Sequence, residues 1–198
     1  GGGYIGSMLA TELIKLGHKV TVIDLLKFDK GSLDHLYFET NFTFINGDVR
    51  NINLLKKYIS KNEFIIPMAA LVGAPLCKKN KKEAIETNFE SIKKILKNLS
   101  NKNKLIYLTT NSGYGIGKKD LYCDETSELN PISHYGKTKV ESEKLILDLE
   151  NFVSLRLATV FGVSARMRID LLVNDFVYKA FNDKYIVLFE SHFKRNYI

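Results

Sequence analysis

Gly1-Gly2-Gly3-Tyr4-Ile5-Gly6 is glycine-dense and runs straight into Ser7-Met8-Leu9-Ala10-Thr11-Glu12-Leu13-Ile14-Lys15-Leu16. The second stretch reads as an amphipathic helix, apolar at Met8, Leu9, Leu13 and Leu16. Gly17 ends it. Lys19-Val20-Thr21-Val22-Ile23-Asp24 then reads as a β-branched strand closing on an acid. Glycine turn, helix, strand and acid, in that order, are the core of a dinucleotide-binding βαβ unit. Glycines let the backbone approach a pyrophosphate, which sits on the helix N-terminus. The acid takes ribose hydroxyls about 20 residues on; here Gly6 to Asp24 is 18 residues. A carboxylate at position 24 repels a 2′-phosphate, so NAD is expected rather than NADP, although Lys27 stands close by. The first strand of such a unit would precede residue 1.

The alternation continues outward. Strands are expected at Phe42–Asn46, Phe64–Ala70, Lys104–Thr110 and Phe152–Leu157. Helices are expected at Ile52–Ile59, Lys82–Leu99 and Gly136–Glu150. Strands alternating with helices predict an α/β fold, a doubly wound parallel sheet covered on both faces. Ligands of such sheets sit beyond the carboxyl ends of the strands. Those ends carry Asp24, Asp48, Ala69-Ala70, Thr109-Thr110 and Leu157–Thr159. The long polar loop Gly113–Pro131 reads as a lid or substrate loop.

Composition excludes several classes. The chain has 198 residues, 45% apolar and 26% charged, ordinary for a soluble globular protein. No apolar run reaches about 18 residues, so no transmembrane helix is expected. The net charge is +7, but only five cations are Arg and no aromatics interleave with the lysines. Nucleic-acid binding is therefore not expected, whereas an anionic small molecule suits the balance. Cys77 and Cys123 give neither a disulfide framework nor zinc spacing, and the four histidines are scattered. No metal is expected, and a reducing, cytoplasmic setting is.

Pro131-Ile132-Ser133-His134-Tyr135-Gly136-Lys137-Thr138-Lys139 carries the chemistry. Tyr135 and Lys139 are four apart at the start of a helix, so they share a face. An ammonium beside a phenol favours the phenolate and turns a poor base into a useful one. The same spacing recurs at Tyr114 and Lys118, where Gly115 and Gly117 oppose a helix. Gly136-Lys137-Thr138 is no Walker loop, because Pro131 stands where the upstream glycine belongs.

As a set, Gly3 and Gly6, Asp24, Gly47-Asp48-Val49, Ala69-Ala70, Thr110 and Tyr135-x-x-x-Lys139 resemble the extended short-chain dehydrogenase/reductases. The nearest group is the nucleotide-sugar epimerases and dehydratases, and the resemblance covers essentially the whole chain. It implies a Rossmann domain over residues 1–165 and the start of a smaller substrate-binding domain over 166–198. It implies Thr110, Tyr135 and Lys139 as catalytic residues, with Tyr135 as acid/base and Lys139 on the nicotinamide ribose. NAD would be held by Gly3, Tyr4, Ile5, Gly6, Asp24, Asp48, Val49, Ala69, Ala70, Asn88, Thr109, Tyr135 and Lys139. A nucleotide-diphosphate sugar would meet Thr110, Asn111, Ser112, Tyr135, Thr159, Asn174 and Arg195. Arg195, in Lys194-Arg195-Asn196-Tyr197-Ile198, resembles the family's diphosphate-binding arginine. Arg156, mid-strand, reads as structural. A homodimer is implied, paired through the helices Lys82–Leu99 and Gly136–Glu150.

Departures narrow the reaction. The family's 4,6-dehydratases place an Asp-Glu pair after the catalytic Thr, and this chain has Asn111 and Ser112. Ala158 and Thr159 replace the aromatic and asparagine usual in the epimerases. The expected activity is NAD-dependent oxidoreduction at C4 of a nucleotide-linked sugar, as a 4-epimerase or as a 4-dehydrogenase or 4-ketoreductase. The competing reading is a non-catalytic, NAD-sensing binding protein on the same fold; intact Thr110, Tyr135 and Lys139 oppose it.

Overall fold

The computed structural model describes residues 1–116, 122–189, 191 and 198. They gather into two compact units, Gly1–Asn46 with Ala158–Ile198, and Gly47–Leu157.

In the first unit, helix α1 (Tyr4–Lys15) is followed by strand β1 (Val20–Asp24), and β1 pairs in parallel with β2 (Phe42–Asn46). The register sets Asp24 opposite Asn46, so both strands deliver their carboxyl ends to one edge. The core is Ala10, Ile14, Val22, Leu33 and Leu36, with Val20, Leu26, Phe42 and Phe44 packed on it. Each fully buried Ile, Val or Leu here is worth about 1.5–3 kcal/mol. Helix α7 (Leu172–Asn182) belongs to the same unit. It is amphipathic and lay outside the expected elements.

The second unit runs α2 (Ile52–Ile59), β3 (Phe64–Ile65), α3 (Ala74–Lys79), α4 (Lys81–Ile85), a π turn (Glu86–Glu90), α5 (Ser91–Leu96), β4 (Lys104–Thr110), α6 (His134–Ile146) and β5 (Phe152–Leu157). Its strands are all parallel, in the order β3-β4-β5. Asn51 caps α2, accepting from the Asn53 and Leu54 amides, and Ser133 caps α6, accepting from the Gly136 amide at 3.0 Å. Expected and observed bounds agree at β2, α2, β4 and β5.

Three expectations need correction. The strand expected over Phe64–Ala70 stops at Ile65. Pro67 has no N–H to give a ladder, so the chain leaves the sheet before it. The helix expected over Lys82–Leu99 ends at Leu96 and is interrupted by the π turn. The widened turn exposes carbonyls to other donors: the Thr87 carbonyl accepts from Ser91 Oγ at 2.5 Å, and the Asn88 carbonyl from Ser142 Oγ of α6 at 2.9 Å. The helix expected over Gly136–Glu150 spans His134–Ile146 instead, entered through the Ser133 cap.

Candidate active site

The glycine turn and its acid meet within the first unit. Gly3 is the N-cap of α1 and offers no side-chain cap, so the first-turn amides face outward unused by a cap. A Cβ added at Gly3 meets nothing within 4 Å, whereas one at Gly6 would lie 2.2 Å from the Gly1 carbonyl oxygen. Gly6 is therefore required for close approach of the helix to the turn. Asp24 closes β1 and accepts from the Gly2 amide at 2.9 Å and the Leu26 amide at 2.9 Å. The acid is thereby fixed beside the glycines.

Other candidates in this unit have structural partners. Tyr4 and Ile5 form the first turn of α1. The Tyr4 hydroxyl donates to the Gly162 carbonyl at 2.6 Å and accepts from Asn174 Nδ2 at 3.0 Å. Asn174 also donates to the Arg168 carbonyl at 2.9 Å and accepts from the Gly162 amide at 3.0 Å. It is 7% exposed and works as a staple. The Thr159 carbonyl accepts from the Ile198 amide at 3.0 Å. Arg195 lies outside the described residues, as does Lys118.

The second unit holds the candidate catalytic residues. Thr110 ends β4; its hydroxyl accepts from the Ser112 amide and donates to Ser112 Oγ, both at 3.2 Å. Asn111 and Ser112 open a single 3₁₀ turn, Asn111–Tyr114. A Cβ at Gly136 would lie 3.1 Å from the Ser112 carbonyl oxygen and 3.1 Å from Pro131 Cβ. That tight seat presses the 3₁₀ turn against the first turn of α6, where Tyr135 sits. The Tyr135 ring packs on Leu71, Cys77 and Ala84.

Lys139 follows one turn later and is 5% exposed. Its ammonium lies 4.0 Å from the centroid of the Tyr107 ring. Tyr107, on β4, is fully buried. Burial pushes the Tyr107 phenol well above its ordinary range, so it stays neutral and presents a π face to the cation. Burial likewise drives Lys139 down to about 7, while Glu143, four residues on, pulls the other way. Glu143 is 3% exposed and accepts from Arg156 Nε at 3.0 Å and Ser154 Oγ at 3.0 Å. Tyr135, Lys139 and Glu143 thus form one i, i+4, i+8 row.

Asn88 sits in the π turn, 2% exposed. It accepts from the Leu71 amide at 2.8 Å and donates to the Leu71 carbonyl at 3.0 Å. Its side chain replaces the ladder that Pro67 ended, holding the chain just after Ala69-Ala70. Asn88→Ala leaves the Leu71 amide unpaired and its carbonyl with only the Cys77 thiol at 3.2 Å, and is expected to cost about 1–3 kcal/mol in urea unfolding. A loss under about 0.5 kcal/mol would remove the clamp. The Asp48 carboxylate is held bidentately by Arg50, whose guanidinium also reaches Glu86 at 3.2 Å, and Val49 lies in the same turn. Thr109 Oγ1 is buried with no partner among the described residues.

Glu143, Arg156 and Tyr107 were not among the expected site residues. The i+4 step from Lys139 to Glu143 was readable; their burial was not. No helix among the described residues is long and apolar enough to cross a membrane, and no cluster of three His, Cys, Asp or Glu side chains among them suits a metal.

The NAD dependent epimerase/dehydratase family description matches residues 1–196. A UDP-N-acetyl-alpha-D-glucosaminuronate decarboxylase of Bacillus cytotoxicus is 35% identical over 127 residues, 63% of this chain and 39% of the relative. A UDP-glucose 4-epimerase of Lactobacillus helveticus is 29% identical over 174 residues, 83% of this chain and 51% of the relative. The chain spans about half the length of these curated relatives. Among solved structures, UDP-glucuronic acid 4-epimerase from Bacillus cereus, in complex with UDP-glucuronic acid and NAD, superposes with a TM-score of 0.77 at 26% identity, over 92% of this chain and 61% of that one. A UDP-glucose 4-epimerase from Thermotoga maritima gives 0.85 at 22% identity, over 100% and 67%, which shows the shared Rossmann architecture.

Proposed function

Because the chain belongs to the NAD-dependent epimerase/dehydratase family, we propose that it oxidises C4 of a nucleotide-linked sugar, with Tyr135 as base. The observation that carries this is the α6 row: a phenol one turn from a buried ammonium, which a buried carboxylate keeps supplied with a countercharge. The residues fit NAD. Within the first unit, the open side of Gly3 and the fixed Asp24 suit a pyrophosphate and a ribose; within the second, taken by itself, the Thr109 hydroxyl, without a partner among the described residues, and the Lys139 ammonium suit polar groups such as a nicotinamide riboside carries. NAD, when bound, supplies the hydride acceptor.

The chain's own residues handle the proton. The positive charge on Lys139 stabilises the Tyr135 phenolate, which takes the proton of the C4 hydroxyl as the C–H bond opens. Thr110, once turned from Ser112, donates to the same oxygen and keeps it oriented. Asn111 and Ser112 bring no acid or base for removing water, so the reaction stays at oxidation and reduction rather than 4,6-dehydration. Ala158 and Thr159 leave both a 4-epimerase and a net 4-dehydrogenase or 4-ketoreductase in play.

The test mixes the purified chain with NAD and, in turn, UDP-glucose, UDP-N-acetylglucosamine and UDP-glucuronic acid. An isomeric UDP-sugar without lasting reduced-nicotinamide absorbance marks an epimerase; a stoichiometric rise marks a dehydrogenase. Neither signal from any of them, with NAD bound, would leave a binding protein.

A further inference from the structure

Arg156 does more than neutralise Glu143. It stands in the middle of β5 with its side chain 13% exposed. Nε donates to Glu143 Oε1 at 3.0 Å, while Nη1 donates to the Tyr114 hydroxyl at 3.3 Å and to the Glu125 carbonyl at 3.1 Å. The guanidinium lies 5.4 Å from the Tyr114 ring centroid. The Tyr114 hydroxyl in turn donates to the Asp124 carbonyl at 2.9 Å. One cation therefore grips the helix row at Glu143 and both limbs of the β4–α6 loop: Tyr114 on the way out, Asp124 and Glu125 on the way back. Those limbs adjoin Thr110–Ser112 and the Pro131 seat against Gly136.

We propose that Arg156 is a positioning residue that couples the β4–α6 loop to the Lys139 ammonium through Glu143. The geometry demands a planar fork. A carboxylate and two neutral oxygens lie in different directions, and a single ammonium reaches the carboxylate but not all three. When Arg156 is in place, the described limbs of the loop, at Tyr114 and at Asp124–Glu125, are pinned and the Glu143 carboxylate is held one turn from Lys139. The loop arm stands on the contacts alone; the Lys139 arm rests on the reading of NAD binding above.

The test compares the wild-type chain with Tyr114→Phe, Arg156→Lys and Arg156→Gln. Two quantities are read: amide hydrogen exchange across residues 122–131, and NAD affinity by calorimetric titration. Tyr114→Phe is expected to speed loop exchange about tenfold and leave NAD affinity within about twofold. Arg156→Gln is expected to speed the loop and weaken NAD about tenfold. Arg156→Lys restores the pair with Glu143, so NAD affinity returns to within about threefold while the loop stays fast. Acceleration confined to the loop supports the proposal. Equal acceleration in β4 and β5 would reduce Arg156 to a stability residue and overturn it. So would unchanged loop exchange in both Tyr114→Phe and Arg156→Lys, two variants that keep Glu143 paired even if Arg156→Gln does not fold. A wild-type chain that binds no NAD sinks the functional reading and the Lys139 arm together, while loop exchange still decides the loop arm.

Discussion

Tyr135→Phe is expected to lower turnover of the nucleotide sugar by about 10²–10⁴-fold while NAD affinity and the melting temperature stay near wild type. The substitution removes one oxygen. The ring keeps its packing against Leu71, Cys77 and Ala84, so the expected stability change is under about 1 kcal/mol. The lost oxygen is the only group on the α6 row that the Lys139 charge can turn into a base for the C4 hydroxyl. Initial-rate assays beside thermal unfolding check both halves. Turnover near wild type would take the role of base away from Tyr135. A large drop in melting temperature would show that the phenol oxygen holds the fold as well.

Lys139→Met should separate function from stability in the opposite direction. Turnover is expected to fall by at least about 10²-fold, because the phenolate loses its counter-charge. Stability near neutral pH is expected to rise. Burial lowers the folded-state pKa of Lys139 to about 7, against its ordinary value of 10.5. Between those two values the unfolded chain binds the proton more readily than the folded one, so this group makes the protein more stable as pH rises across the window. Below about pH 7 the ammonium is charged in both states and its burial costs the fold in full. Met fills a similar volume without a charge, giving up a cation–π contact of about 1–2 kcal/mol. The variant should therefore gain about 1–3 kcal/mol over wild type at about pH 6, a gain that shrinks toward about pH 10. Urea unfolding of both proteins at the two pH values measures this. A difference that does not change with pH would mean Lys139 is not a strained ammonium.

Much of this arrangement was readable from residues alone. The run from Gly3 to Asp24 has a strong local signature, since a glycine turn, a helical period and a β-branched run each constrain the backbone independently. The strands Phe42–Asn46, Lys104–Thr110 and Phe152–Leu157 were legible for the same reason. What residues alone left illegible shares a cause: each contact depends on a partner far along the chain. Leu71 takes both ends of the Asn88 amide from 17 residues away. The Tyr4 hydroxyl and Asn174 bond to each other across 170 residues. Arg156 reads correctly as structural, but nothing local predicts that it reaches Tyr114, 42 residues back. The early stop of β3 was within reach, because Pro67 carries the signal itself.

The π turn has a mechanical consequence. Helices that meet only through aliphatic side chains can slip along one another by a turn, about 5.4 Å, and find similar packing again. Ser142, completely buried, places its hydroxyl on the Asn88 carbonyl of the widened turn. A polar contact of that kind does not repeat one turn along. It fixes the axial setting of α6 against its neighbour, and with it the height at which Tyr135 and Lys139 stand above the end of β4. Thr138 of α6, accepting from Asn88 Nδ2 at 3.5 Å, adds a second polar contact to the same turn, so the register of Tyr135 and Lys139 is set by hydroxyls lodged against a defect of the adjoining helix.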